Sequence, residues 1–168
     1  MIFTLHEIID LLLIWIITGI IFLPKNPFSY PRDFLIRFIL LVGLSTALHE
    51  LFHKVFALLL GVKAVLHAFY FGLFFSLILK IIFPQFVILI PGYVSIYSSD
   101  PKTTLITAFA GPLANLLLFF FFKWLALKKN SWFYYDLAML NLWLFVFNML
   151  PIPPLDGYKV FTSLLNLI

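Results

Sequence analysis

The stretch FLIRFILLVGLSTALHELFHKVFALLL, residues 34–60, is largely apolar but carries His49, Glu50 and His53 in the pattern H-E-x-x-H. An apolar run of this length predicts a helix that crosses a lipid bilayer. Ionisable side chains are costly at that depth, so a function is the first explanation to consider for them. Residues four apart share one helix face, so the two imidazoles can bind one metal ion while Glu50 faces its open position. This spacing predicts a catalytic zinc site inside a membrane helix.

The composition of the whole chain supports a membrane protein. Hydrophobic residues make up 64% of its 168 residues and charged residues 11%, against about 45–50% and about 25% in soluble domains. The net charge of +4 comes from scattered Lys and Arg, which favours contacts with the lipid bilayer and predicts no nucleic-acid partner. Cysteine is absent, so any metal must be held by His and carboxylate side chains.

We expect an all-α, multi-pass integral membrane protein that forms one domain over residues 1–168. Turn residues and polar connections divide its apolar sequence into about four transmembrane helices and a short C-terminal helix. The predicted spans are residues 8–23, 34–60, 103–122 and 132–150, and the short helix is residues 155–168.

Residues 62–99 do not fit a simple span, because polar, Gly and Pro residues divide them into short apolar pieces. Non-helical backbone at membrane depth needs protein or a water-filled cavity to satisfy its polar groups. We therefore expect a re-entrant or strand-like segment beside the active-site cleft, and a kinked fifth span is the alternative. The sequence Ser99-Asp100-Pro101, at the end of this segment, predicts the start of the next helix.

A catalytic zinc usually has three protein ligands and a water molecule, so the two His need a third partner. Asp156 is the best candidate, because it follows a proline-broken helix that could place it at depth. The other Asp residues and Glu7 lie near predicted span ends or in connections. With zinc in place, Glu50 would take a proton from the attacking water and pass it to the departing amine.

Three motifs occur in order along the chain: HELFH at residues 49–53, AGPLAN at 110–115 and NMLPIPPLDG at 148–157. In this combination the chain resembles the site-2 protease family of intramembrane zinc metalloproteases, here in a compact form without accessory domains. The resemblance covers residues 34 to about 158.

The resemblance implies one Zn²⁺ per chain, held by His49, His53 and Asp156, with Glu50 as the catalytic acid and base. It implies a transmembrane protein as the substrate. It also implies that Asn115 and Asn148 face the active site, where they could hold substrate backbone or stabilise the reaction intermediate. Helix packing is an equally good explanation of these two side chains.

Some residues depart from the family pattern or resemble it only in part. Phe52 stands where many members have Gly after H-E-x, and Tyr158 replaces a common second Gly after Asp-Gly. Phe52 could change how a neighbouring element packs against the active-site helix. The sequence IPGYV at residues 90–94 resembles a strand-like family element beside which an extended substrate could add as a strand, although one Gly is missing.

Two other groups could bind metal but have simpler explanations. His6, Glu7 and Asp10 partly imitate a metal motif, but a solvated helix start explains them. His67 is a lone imidazole, which is more often a hydrogen-bonded structural residue.

Two rival functions are compatible with the sequence. The first is a catalytically inactive relative that binds membrane helices without cutting them. The second is a small metal transporter, which would need several polar sites along a route rather than one closed group.

Overall fold

The structure is a computed structural model that describes residues 3–85, 87, 89, 91–98 and 100–168. Most of these residues are helical. The helices are α1 (Leu5–Ile21), α2 (Arg32–Leu59), α3 (Tyr70–Ile82), α4 (Pro101–Lys129), α5 (Trp132–Asn148) and α6 (Asp156–Leu165), with a short 3-10 helix at Pro27–Ser29 and strands β1 (Ala64–Ala68) and β2 (Gly92–Ile96).

Within the described residues, two helices are long and apolar enough to cross a membrane, judged by length and composition. They are α2, with 28 residues, and α4, with 29, and they match the predicted spans 34–60 and 103–122. The other two predicted spans correspond to α1 and α5, which have 17 residues each. Such a helix is about 26 Å long, somewhat less than the ~30 Å hydrocarbon core. That α1 and α5 also cross the membrane stays a prediction, as does the single domain.

Helix α4 begins as its sequence predicts. The Asp100 side chain accepts a hydrogen bond from the Thr103 backbone N–H at 2.8 Å, and Pro101 is the first helical residue. These bonds from Thr103 lower the pKa of the exposed Asp100 carboxyl, because they favour its ionised form. Ser99, the third residue of the predicted start, lies outside the described residues.

The segment 62–99 contains β1, α3 and β2, and the two strands pair in one sheet. The Phe69 N–H donates to the Pro91 carbonyl and the Tyr97 N–H donates to the Lys63 carbonyl, so the strands run antiparallel. The predicted strand-like structure is therefore present at β1 and β2, whereas Tyr70–Ile82 is helical; residues 86, 88, 90 and 99 lie outside the described residues. Helix α3 has 13 residues, too few to cross a bilayer as a straight helix. That this segment enters the membrane stays a prediction.

The chain packs as two units, of which the first comprises Met1–Ala47 and Val65–Ser95. Within it, α1 and the first half of α2 lie very close together. A Cβ atom at Gly19 would overlap the backbone of Ile39, and one at Gly43 would overlap the backbone of Trp15. Small residues at such positions allow two membrane helices to approach closely. The Trp15 indole also donates to the Leu40 carbonyl at 2.8 Å.

Glu7 and Asp10 on α1 hold strand β1. The expected helix start is present, since α1 begins at Leu5, but the expectation that these two side chains are solvated is wrong. Their side chains are buried, and they accept hydrogen bonds from the backbone N–H groups of Leu66 and Ala68 at 2.9 and 3.1 Å. Asp10 also accepts a hydrogen bond from the Tyr70 hydroxyl. The carboxylates supply acceptors that the strand would otherwise find in a further strand, which explains why they tolerate burial.

The second unit comprises Leu48–Ala64 and Ile96–Ile168. Helix α4 is its centre and packs against α5 and α6. The buried face of α4 is built largely from small residues, including Ala108, Ala110, Gly111 and Ala114, which bring neighbouring backbones near. The second half of α2, with the H-E-x-x-H motif, belongs to this unit.

Candidate metal centre

Helix α2 presents two imidazoles toward one point. His49 and His53 are 8% and 6% exposed, and their Nε2 atoms lie 3.1 Å apart. Glu50, on the same turn, is also buried. This is the arrangement that the four-residue spacing predicts, because residues four apart share one helix face.

Asp156, which lies near the C-terminal end of the same unit in sequence, meets the two imidazoles. Its Oδ2 atom lies 3.1 Å from His49 Nε2 and 3.2 Å from His53 Nε2. It is the first residue of α6, directly after the proline-rich connection. The next residue, Gly157, is buried, and a Cβ atom there would overlap the backbone of Met149 and Leu150. Gly157 therefore lets the first turn of α6 pack onto the end of α5.

The three donor atoms form a nearly equilateral triangle with edges of 3.1–3.2 Å. Zinc with tetrahedral bonds of about 2.0–2.1 Å holds its ligand atoms roughly 3.3 Å apart. In the described part of the chain, these residues form the group of three His or carboxylate side chains that could hold a metal ion. The donor set fits zinc in both chemistry and spacing.

The hydrogen bonds behind the imidazoles support the same conclusion. His49 Nδ1 lies 2.7 Å from Asn115 Oδ1, and His53 Nδ1 lies 2.7 Å from the Thr107 carbonyl oxygen. Carbonyl oxygens only accept, so each Nδ1 carries a hydrogen, and in a neutral ring this leaves the lone pair of Nε2 facing the shared point. Two Nε2 lone pairs that face each other at 3.1 Å would be well placed to bind one metal ion between them.

Gly111 on α4 keeps the space around these donor atoms open. A Cβ atom at this position would lie 2.7 Å from His49 Nε2 and closer still to His53 Nε2. The AGPLAN motif therefore has a physical role. Its Gly lies where α4 faces the donor atoms, and its Asn115, one helical turn later, contacts His49.

The two candidate substrate-binding amides have different surroundings. Asn115 is fully buried, and its side chain contacts His49 and Asn141. Asn148 is partly exposed and donates to the Leu144 carbonyl of its own helix at 3.0 Å. The structure thus brings Asn115 to the metal centre and shows Asn148 bonded to α5.

The histidines of the other two candidate metal sites have different surroundings. The His67 ring lies against Tyr93, with ring centroids 5.3 Å apart. His6 is exposed and forms a 3.4 Å contact with Asp10. Neither His belongs to the group of three donor residues found in the described residues.

The sequence analysis missed two residues of the centre, Asn141 and Thr107. Asn141 carried a usable signal, because a polar amide in the middle of the apolar α5 is costly in a membrane. Thr107 carried none, because it contacts His53 through its backbone carbonyl, which every residue type has.

An apolar groove of about 340 Å³ also lies in the second unit. Its lining includes Phe56, Ala110 and Val160. Phe56 follows His53 by three residues on α2, and Val160 follows Asp156 by four on α6, so each is one helical turn from a donor residue.

Comparison with known proteins relates these features to a family. The sequence model described as peptidase family M50 matches residues 37–131. A protein of Methanocaldococcus jannaschii that carries the name of a zinc metalloprotease is 38% identical over an alignment of 168 positions, which covers 94% of this chain and 84% of that protein. A protein of Bacillus subtilis with the same kind of name is 34% identical over an alignment of 73 positions, which covers 35% of this chain and 33% of that protein. No solved structure matches the chain.

Proposed function

This chain belongs to peptidase family M50, and we propose that it is a zinc metalloprotease that hydrolyses peptide bonds within or near the transmembrane helices of other membrane proteins. The resemblance to site-2 proteases is confirmed by the family match and the similar proteins. The observation that carries the proposal is the triangle of His49, His53 and Asp156 donor atoms, with both Nδ1 atoms hydrogen-bonded behind it.

In this proposal, His49, His53 and Asp156 hold one zinc ion, and Glu50 is the catalytic residue. Bound zinc would polarise the scissile carbonyl and make water acidic near neutral pH. The Glu50 carboxylate would take a proton from the attacking water and later give it to the departing amine. Glu50 is buried beside His49, which would shield these proton transfers from bulk water.

The membrane location of the substrate is supported by the apolar helices around the site. The donor residues His49 and His53 lie on α2, which is long and apolar enough to cross a membrane. Peptide bonds of a helix are shielded by their own hydrogen bonds, so a substrate helix must unwind before it is cut. The groove beside Phe56 and Val160 is of a kind that would take apolar side chains from the unwound segment.

Strand β2 is a further candidate for substrate contact. Glu7 and Asp10 already bond the N–H groups on the outer side of β1 at Leu66 and Ala68. An extended substrate would therefore add along β2, where main-chain hydrogen bonds supply affinity with little dependence on sequence. Asn148, at the end of α5, is our candidate for a side chain that holds substrate backbone.

The function is tested with purified protein and a single-span membrane substrate. Glu50→Gln should keep one zinc per chain and lose cleavage by about 10³-fold or more, because the amide cannot accept the proton. His49→Ala and Asp156→Asn should lose both zinc and cleavage. Equal cleavage by wild type and Glu50→Gln would contradict the proposal.

The same preparations distinguish the two rival functions. If the chain is an inactive relative, the wild-type protein and the Glu50→Gln variant should bind the substrate helix equally well, and neither should cut it. A metal transporter would move zinc into proteoliposomes and would not cleave the substrate.

A further inference from the structure

We propose that Asn141 on α5 is a positioning residue for the zinc ligand His49, and that it acts through Asn115. A directed chain of hydrogen bonds joins the three side chains and sets which nitrogen of His49 carries its hydrogen. The inference rests on the proposed zinc site but concerns a residue outside the group of three donor residues.

The chain of hydrogen bonds begins in the middle of α5. Asn141 Nδ2 donates to the Leu137 carbonyl at 2.9 Å. Asn115 Nδ2 donates to Asn141 Oδ1 at 3.2 Å, and Asn115 Oδ1 lies 2.7 Å from His49 Nδ1. Both Asn side chains are fully buried, so water does not compete for these bonds.

The direction of the chain follows from its starting point. A backbone carbonyl can only accept, so Asn141 must turn its NH₂ toward Leu137 and its oxygen toward Asn115. Asn115 must then turn its NH₂ toward that oxygen and its own oxygen toward His49. His49 therefore carries its hydrogen on Nδ1 and turns the lone pair of Nε2 toward Asp156 and His53.

The other imidazole obtains the same orientation in a different way. His53 Nδ1 bonds the backbone carbonyl of Thr107, whose orientation is fixed by helix α4. Asn115 is a side-chain amide that can rotate by half a turn, so its oxygen faces His49 reliably only while another group holds its NH₂. Asn141 accepts a hydrogen bond from that NH₂, which makes α5 a contributor to the metal centre without supplying a ligand.

Removal of the Asn141 side chain should therefore weaken zinc binding. Asn115 could then turn its NH₂ toward His49 Nδ1, which would place the hydrogen of the imidazole on Nε2, the atom that must bind zinc. Loss of such partners behind a ligand typically costs about 10–100-fold in metal affinity.

The test measures the zinc Kd of the purified full-length protein by competition with a chelator. Asn141→Leu removes both functions of the amide. Asn141→Thr leaves a hydroxyl that can bond the Leu137 carbonyl, as Thr107 bonds Thr103 on α4, but is too short to reach Asn115. Both variants should raise the zinc Kd by about 10–100-fold. If Asn141→Leu does not fold, Asn141→Thr decides the question.

Two further variants separate positioning from general packing. Asn141→Asp should bind zinc nearly as wild type does, because burial favours the neutral acid, whose OH donates to Leu137 and whose carbonyl accepts from Asn115. Ser76→Ala is the matched control, since Ser76 is a buried side chain that donates to the carbonyl of Gly72, four residues back on α3. Its zinc Kd should equal that of wild type.

Wild-type affinity in the folded Asn141→Leu or Asn141→Thr protein would overturn the inference. Equal weakening by Asn141→Asp and Asn141→Leu would also overturn it, because Asn141 would then act through packing alone. Failure of the wild-type protein to bind zinc would instead contradict the proposed function.

Discussion

The residues grouped around the candidate metal centre have different roles. Gly111 contributes space, because any side chain there would overlap the His49 and His53 rings. Asn115 contributes orientation through the hydrogen bond to His49. Glu50 contributes the proton acceptor in the proposed reaction. These roles predict different losses on substitution, since space and orientation affect metal binding whereas the proton acceptor affects only the chemical step.

At the residue scale, Gly111→Ala should lower zinc affinity by about tenfold or more while the protein still folds. The added methyl group meets the ends of two imidazole side chains, which can turn away from it and so lose the donor triangle. The zinc Kd from chelator competition measures the loss of affinity, and circular dichroism shows whether the variant is folded. A Gly111→Ala protein with wild-type zinc affinity would show that the rings have more room than the structure indicates.

At the scale of elements, α1 and β1 are joined by carboxylates rather than by apolar packing alone. Glu7 and Asp10 follow the spacing of one helix face, and they bond alternate N–H groups of the strand, at Leu66 and Ala68. Two carboxylates three residues apart on one helix face thus match two alternate N–H groups on one edge of a β-strand. This match keeps the buried N–H groups paired.

Asp10→Ala should therefore destabilise the contact between α1 and β1 by about 1–3 kcal/mol, because the Ala68 N–H and the Tyr70 hydroxyl would lose a buried acceptor. Hydrogen exchange at Ala68 and a denaturant titration measure this loss. His6→Ala is the control, since His6 is exposed and contacts the same carboxylate at 3.4 Å, where a pair is worth little. A similar result for both variants would contradict the assigned role of Asp10.

For the whole molecule, the metal centre joins parts of the chain that are far apart in sequence. His49 and Asp156 are separated by 107 residues, and both supply donor atoms to one point. A ligand at free concentration [L] that binds only the folded chain raises the free energy of unfolding by RT ln(1 + [L]/Kd). Zinc should accordingly stabilise the fold as well as support cleavage.

Free zinc at 100 times its Kd should stabilise the wild-type protein by about 2.7 kcal/mol, seen as a higher Tm than in chelator. Glu50→Gln should show the same rise, because it keeps the three donor residues. Asp156→Asn should show little or none. A Tm that does not respond to zinc in the wild-type protein would count against the metal centre itself.

The local parts of this protein follow from its amino-acid sequence. Helical periodicity places His49 and His53 on one face, and the apolar length of residues 34–60 and 103–122 predicts α2 and α4. Asp100 and Pro101 predict the start of α4. These features depend only on residues a few positions apart, whose relative places are set by backbone geometry.

The long-range pairings are made by tertiary structure, although the sequence already indicates Asp156 as the third donor. Packing of α6 against α4 determines that the Asp156 carboxylate meets the imidazoles, and packing of α5 determines that Asn141 meets Asn115. The same reason explains why Glu7 and Asp10 are buried against β1 although their positions in the sequence predicted a solvated helix start. Spacing along a chain specifies neighbours on one helix, whereas contacts between elements depend on how their surfaces fit.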